Sequence, residues 1–137
     1  RWLSKPPTGR TLAEMWADLD AGADLFSDCL NAPIPHVAVE NPVMHCHARE
    51  RIDFKGIKPF YVHPWHFGHD EHGPDNEKKM TGFWTNMPKL KRTGTLDGKT
   101  ARNSVHMATP GDQRGTERSR FFPAMAAAMA EQWGAVE

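Results

Sequence analysis

Apolar side chains at Leu12, Met15, Trp16, Leu19, Ala23, Phe26 and Leu30 recur at offsets of 0, 3, 4, 7, 11, 14 and 18, which traces one face of a long α-helix. Thr11 and Glu14 supply the T-x-x-E capping box that starts it, and Asn31, Pro33 and Pro35 end it. Asp18, Asp20, Asp24 and Asp28 occupy the rest of its surface. The next apolar run, His36-Val37-Ala38-Val39, is short and β-branched and predicts a buried strand that delivers Glu40-Asn41-Pro42 at its carboxyl end. Val43 to Ile52 predicts a short helix, and Pro59-Phe60-Tyr61-Val62 and Thr81-Gly82-Phe83-Trp84-Thr85 predict two more strands. From Pro88 to Arg118 apolar residues are sparse and aperiodic, so about thirty residues of irregular, basic segment are expected there. A closing helix starts near Phe122, with an apolar face of Phe122, Met125, Ala126, Met129, Ala130 and Trp133 and with Gly134 to stop it. Helix, tight loop and short strand in succession is the rhythm of an α/β fold, in which functional groups gather at the carboxyl ends of strands.

The length, 137 residues, fits a single domain across 1–137, and no internal repeat divides it. No run approaches the roughly 18 apolar residues of a membrane helix, and no leader-like segment opens the chain, so a soluble, cytoplasmic protein with no membrane partner is expected. The first residue is Arg rather than Met, which suggests an upstream segment. Cys29 and Cys46 form no CxxC pair and are expected as free thiols.

Charge changes this picture more than composition does. The formal net charge is zero, yet residues 1–77 carry 7 Lys+Arg against 12 Asp+Glu, and residues 78–137 carry 10 against 5. The basic residues of the second part include Lys78, Lys79, Lys89, Lys91, Arg92, Arg114, Arg118 and Arg120, a set suited to phosphate backbones. A solvated loop face is the alternative reading.

Three constellations carry candidate chemistry. His63, His66, His69 and His72 recur every three residues, with His45-Cys46-His47 upstream; imidazole and thiolate are ligands zinc prefers, which makes a His-rich zinc-binding module one reading and hydrogen-bonded loop histidines the other. Glu40-Asn41 at a strand end is the second, because a carboxylate buried there needs either hydrogen bonds or an acid–base task. The third is the run of Trp65, Phe67, Lys78, Lys79, Phe83 and Trp84, in which aromatics could stack on bases while the lysines grip phosphates, or the aromatics could simply be core.

The succession Ala32-Pro33-Ile34-Pro35-His36-Val37-Ala38-Val39-Glu40-Asn41-Pro42, then Pro64-Trp65-His66-Phe67-Gly68-His69, then Lys79-Met80-Thr81-Gly82-Phe83-Trp84 resembles phage-type DNA cytosine methyltransferases. The ending, Glu117-Arg118-Ser119-Arg120 before Ala126 to Trp133, is similar too, so the resemblance runs over nearly the whole chain. It implies a partial Rossmann-like methyltransferase domain that uses S-adenosylmethionine and acts on DNA. It also implies that Glu40 is the acid that engages cytosine N3, with Asn41 as its positioner, after the base has left the stack. The glycine-rich cofactor turn and the Pro-Cys nucleophile of such enzymes lie upstream of the stretch that Arg1-Trp2-Leu3 resembles, and Pro42 stands where Val is usual. The chain is then the carboxyl-terminal part of a catalytic domain, inactive alone and completed by an amino-terminal part or a second chain. A non-catalytic nucleic-acid-binding or assembly module is the rival reading.

Overall fold

A computed structural model describes residues 9–107, 111 and 113–137, without the side chains of His106 and Arg114. Among the described residues nine elements follow one another: α1 (Leu12–Leu30), β1 (Ala38–Asn41), α2 (Cys46–Arg51), β2 (Phe60–Val62), a 3-10 turn (Pro64–Phe67), β3 (Thr81–Thr85), α3 (Ser104–Met107), α4 (Arg114–Ser119) and α5 (Pro123–Trp133). The capping box at Thr11 forms in both directions: the Glu14 amide donates to Thr11 Oγ1 and the Thr11 amide to Glu14 Oε2, each at 3.1 Å. Of the expected face of α1, Met15, Ala23, Phe26 and Leu30 are buried, while Leu12 at its start is exposed.

The three strands form one antiparallel sheet in the order β1-β3-β2, with Glu40 opposite Phe83, Asn41 opposite Gly82 and Tyr61 opposite Gly82 from the other side. Because both outer strands run antiparallel to β3, they run parallel to each other. Successive residues of a strand point to opposite faces, so neighbouring Phe83 and Trp84 feed two different cores. Trp84 meets Phe26 of α1 edge-to-face at 5.2 Å and packs with Ala23, Leu30, Met44 and Ile52. Phe83 meets Trp133 of α5 at 5.5 Å and packs with Val62, Phe67, Leu90, Met125 and Ala128. The fold is therefore a mixed α/β arrangement, with α1 and α2 on one face of a small sheet and α5 on the other.

Four sequence expectations need correction. The strand near His36 starts at Ala38 and includes Glu40 and Asn41, because the backbone of Val37 is satisfied by side chains: its amide donates to Asn86 Oδ1 at 3.0 Å and its carbonyl accepts from Thr85 Oγ1 at 2.6 Å. That strand is not buried; Ala38 and Glu40 face solvent while Val39 and Asn41 are half-buried, as expected of an edge strand. The segment 88–118 is irregular only to Asn103, and α3 and α4 interrupt its second half; helices of four and six residues are too short to show a period. In α5 the buried stripe is Phe122, Met125 and Ala128, with Ala126 and Ala130 facing out.

The irregular stretch is nevertheless held firmly. The Gln132 side chain brackets Lys91 as a strand would, accepting from its amide at 2.7 Å and donating to its carbonyl at 2.9 Å, and Trp133 Nε1 donates to the Pro88 carbonyl at 2.7 Å. Proline stands close to both ends of each outer strand: Pro35 and Pro42 around β1, Pro59 and Pro64 around β2. Among the described residues no helix is long and apolar enough to cross a membrane.

Candidate functional site

Strand β1 ends by handing Glu40 and Asn41 to the turn Pro42–His45 that opens α2. Two cavities meet there. The first, about 610 Å³, lies between α1 and α2 and has mostly apolar walls, among them Met15, Leu19, Phe26 and Val39; Glu40, Asn41, Cys29 and His45 also line it. The second, about 560 Å³, is bounded by Lys79 and Met80 ahead of β3, Val105 of α3, and Gly115, Arg118 and Ser119 of α4. Glu40, Pro42 and Val43 line both, so they form the partition between the two.

Glu40 is exposed, which removes the argument that a buried carboxylate must be working. Its place in the partition is what singles it out. Lys79, half-buried, donates from Nζ to the Arg120 carbonyl at 3.1 Å. Burial holds its ammonium below the usual lysine range; the opposing charge of Glu40 acts to raise it, and the like charges of Arg120 and Arg118 push the same way as burial. Four of the residues singled out in the sequence, Glu40, Lys79, Arg118 and Arg120, are thus electrostatic neighbours, and Asn41 stands beside them on the wall of the first cavity.

The other basic candidates are placed elsewhere. Lys89, Lys91 and Arg92 flank Leu90, which packs in the α5 core; Lys91 is bonded to Gln132 near the carboxyl end of α5, whereas Arg118 and Arg120 lie ahead of its amino end. Arg92 lies over the Trp65 ring at 4.5 Å and donates to the Leu96 carbonyl. Lys78 is exposed, and its amide donates to the Arg102 carbonyl at 2.7 Å. The side chain of Arg114 lies outside the described residues.

Trp65 is not open for base stacking. Arg92 covers it, His66 sits with its ring centroid 4.2 Å away, and a Cβ at Gly98 would lie 2.7 Å from the indole. Phe67, Phe83 and Trp84 are core. The histidine run is engaged locally: His66 Nδ1 accepts from the His63 amide at 3.2 Å, His69 Nδ1 lies 3.2 Å from Thr95 Oγ1, and His72 Nε2 lies 3.3 Å from Glu71. Burial first, then His63 and Arg92, lower His66 to about 4. Among the described residues no three of these histidines bring ligand atoms together; the group that does is His45, Cys46 and His47.

Residues that the sequence did not flag hold the site in place. Glu77 is 2% exposed and accepts from Arg102 Nε at 3.2 Å, from the Ser104 amide at 3.3 Å and from Ser104 Oγ at 2.5 Å. Asn76, fully buried, donates from Nδ2 to the Glu71 and Thr100 carbonyls at 2.9 and 3.2 Å. These bonds tie the loop that carries Lys79 to the segment that leads into α3 and α4, the two walls of the second cavity. Asp75-Asn76-Glu77 reads in sequence as an ordinary polar turn, and nothing local distinguishes it.

Compared with protein-family models, curated proteins and solved structures, the chain matches none.

Proposed function

We propose that this chain is the carboxyl-terminal part of a methyltransferase-like domain acting on cytosine in DNA, with Glu40 as its general acid. The observation that carries the reading is the place of Glu40 on the wall common to two cavities, with Lys79 and Arg118 lining the second of them. Each cavity falls within the ~300–1,000 Å³ usual for small-molecule sites. In this reading the second cavity takes an extruded nucleotide, with Lys79 and Arg118 on its phosphates. The Glu40 carboxyl donates its proton to cytosine N3, which withdraws electron density from the ring and opens it to attack. Asn41, the next residue of the strand, points to the opposite face, so the positioning role expected of it from sequence is not carried over.

The described residues do not fit S-adenosylmethionine on their own. Positive-φ glycines among them are Gly9, Gly56 and Gly98, and none joins a strand to a helix; the β1–α2 turn contains no glycine. The cofactor and the thiolate nucleophile are therefore assigned to an amino-terminal part or a second chain, and Glu40 is the group this chain supplies to the chemistry. In this reading the parallel strands of a Rossmann-like sheet belong to the missing part, since the pairings here are antiparallel, and the cytoplasm of a host cell is the implied compartment.

The test is incorporation of labelled methyl groups into cytosine-containing DNA by the intact gene product, including whatever is encoded upstream of Arg1. Glu40→Gln is expected to lower the rate by about 10²–10⁴-fold, the usual worth of a positioned acid. Full activity in that variant would remove Glu40 from the mechanism. DNA binding without any methyl incorporation would favour the non-catalytic module.

A further inference from the structure

We propose that His45, Cys46 and His47 bind one divalent transition-metal ion, zinc being the best match, at the amino end of α2. The observation is a convergence of side chains: one ligand atom from each residue lies within 4.8 Å of the other two. Three consecutive residues do not ordinarily converge. In a strand the middle one points away, and in a helix they fan out by about 100° per residue. Here the chain turns between the two forms, with His45 extended (φ −61°, ψ 141°) and Cys46 the first helical residue. The turn leaves the two imidazoles 5.1 Å apart between centroids and tilted by 35°, with Cys46 Sγ 3.9 Å from His45 Nδ1.

The surroundings suit a cation. Glu50 Oε2 lies 3.4 Å from His47 Nδ1, as do the carboxylates that orient ligating imidazoles. Arg51 donates to the His47 carbonyl, is paired with Asp20 and lies over Trp16. With the Cys46 proton released to solvent, two neutral imidazoles, a thiolate and the nearby Glu50 carboxylate present a charge of −2 to an M²⁺ ion. Imidazole and thiolate are the donors zinc takes at four-coordinate sites, and three protein ligands leave a fourth position for water or a carboxylate. His45 lines the same cavity as Glu40 and Asn41, so the ion would sit on that cavity's rim. This inference is independent of the methyltransferase reading.

The experiment titrates tag-free full-length chain with Co²⁺ and then Zn²⁺. Expected are one Co²⁺ per chain, a near-ultraviolet thiolate-to-cobalt charge-transfer band, and its loss when Zn²⁺ displaces the cobalt. Cys46→Ser should abolish the band, while Cys29→Ser should keep it; circular dichroism checks that both fold. Glu50→Gln should weaken binding by about 10–100-fold, the usual effect of losing an orienting partner. Absence of the band in the folded wild-type chain would overturn the proposal. So would a band that survives Cys46→Ser, or one ion shared between two copies by sedimentation.

Discussion

His66 is neutral in the fold because its ring is partly buried beside His63 and Arg92, and its Nδ1 serves as an acceptor for the His63 amide. Its folded value of about 4 lies below the 6.5 of an unfolded histidine. Between those values the unfolded chain binds more protons, so stability rises with pH through that window and falls on acidification. Urea midpoints measured at pH 7 and pH 4.5 should show a smaller drop for His66→Gln than for the wild type; equal drops would mean that the ring is already charged in the fold. Glu77 makes a different kind of residue-level statement. Glu77→Ala leaves the Ser104 amide and Arg102 Nε without their acceptor and should cost roughly 2–3 kcal/mol in denaturant titrations. It should also weaken any ligand of the second cavity, because both of its walls hang on that carboxylate.

At the scale of elements, periodicity revealed what repeats, and pairing revealed what does not. Long α1 and the closing α5 were legible because a buried stripe must recur about every 3.6 residues. Strand β3 was legible because five residues run into two cores. The start of β1 was not, since the bonds that satisfy Val37 come from Thr85 and Asn86, almost fifty positions away. The candidate site was half legible: Glu40, Lys79, Arg118 and Arg120 were named from sequence, but their separation from Lys91 depends on the bond from Gln132 that holds Lys91 at the far end of α5. The docking of the 88–103 segment includes one very close approach. A Cβ at Gly94 would lie 2.5 and 2.6 Å from the backbone oxygen and nitrogen of Gly68, atoms that cannot swing aside. Gly94→Ala is therefore expected to cost about 1–3 kcal/mol and to expose that segment to limited proteolysis; an unchanged digestion pattern would show that the contact yields.

For the whole molecule, the division of basic residues between the two ends of α5 makes DNA binding a directional test. Neutralising one phosphate contact should lower the slope of log affinity against log salt by about 0.9 for duplex DNA. Lys79→Ala and Arg118→Ala should each do so. Lys91→Ala should not, because that residue is bracketed by Gln132 at the carboxyl end of α5. Equal effects from all three would mean that the duplex spans both ends of α5 and that the Glu40 partition is not its seat.

The prolines beside β1 and β2 bear on how this protein behaves in a crowded solution. Exposed strand edges invite other chains to add on and grow into insoluble stacks. Here any visiting strand runs out of amide donors within four residues of β1, or three of β2, before it reaches a ring that has none to offer. Intruders are held too briefly to seed a fibril, while a partner that brings contacts of its own can still settle.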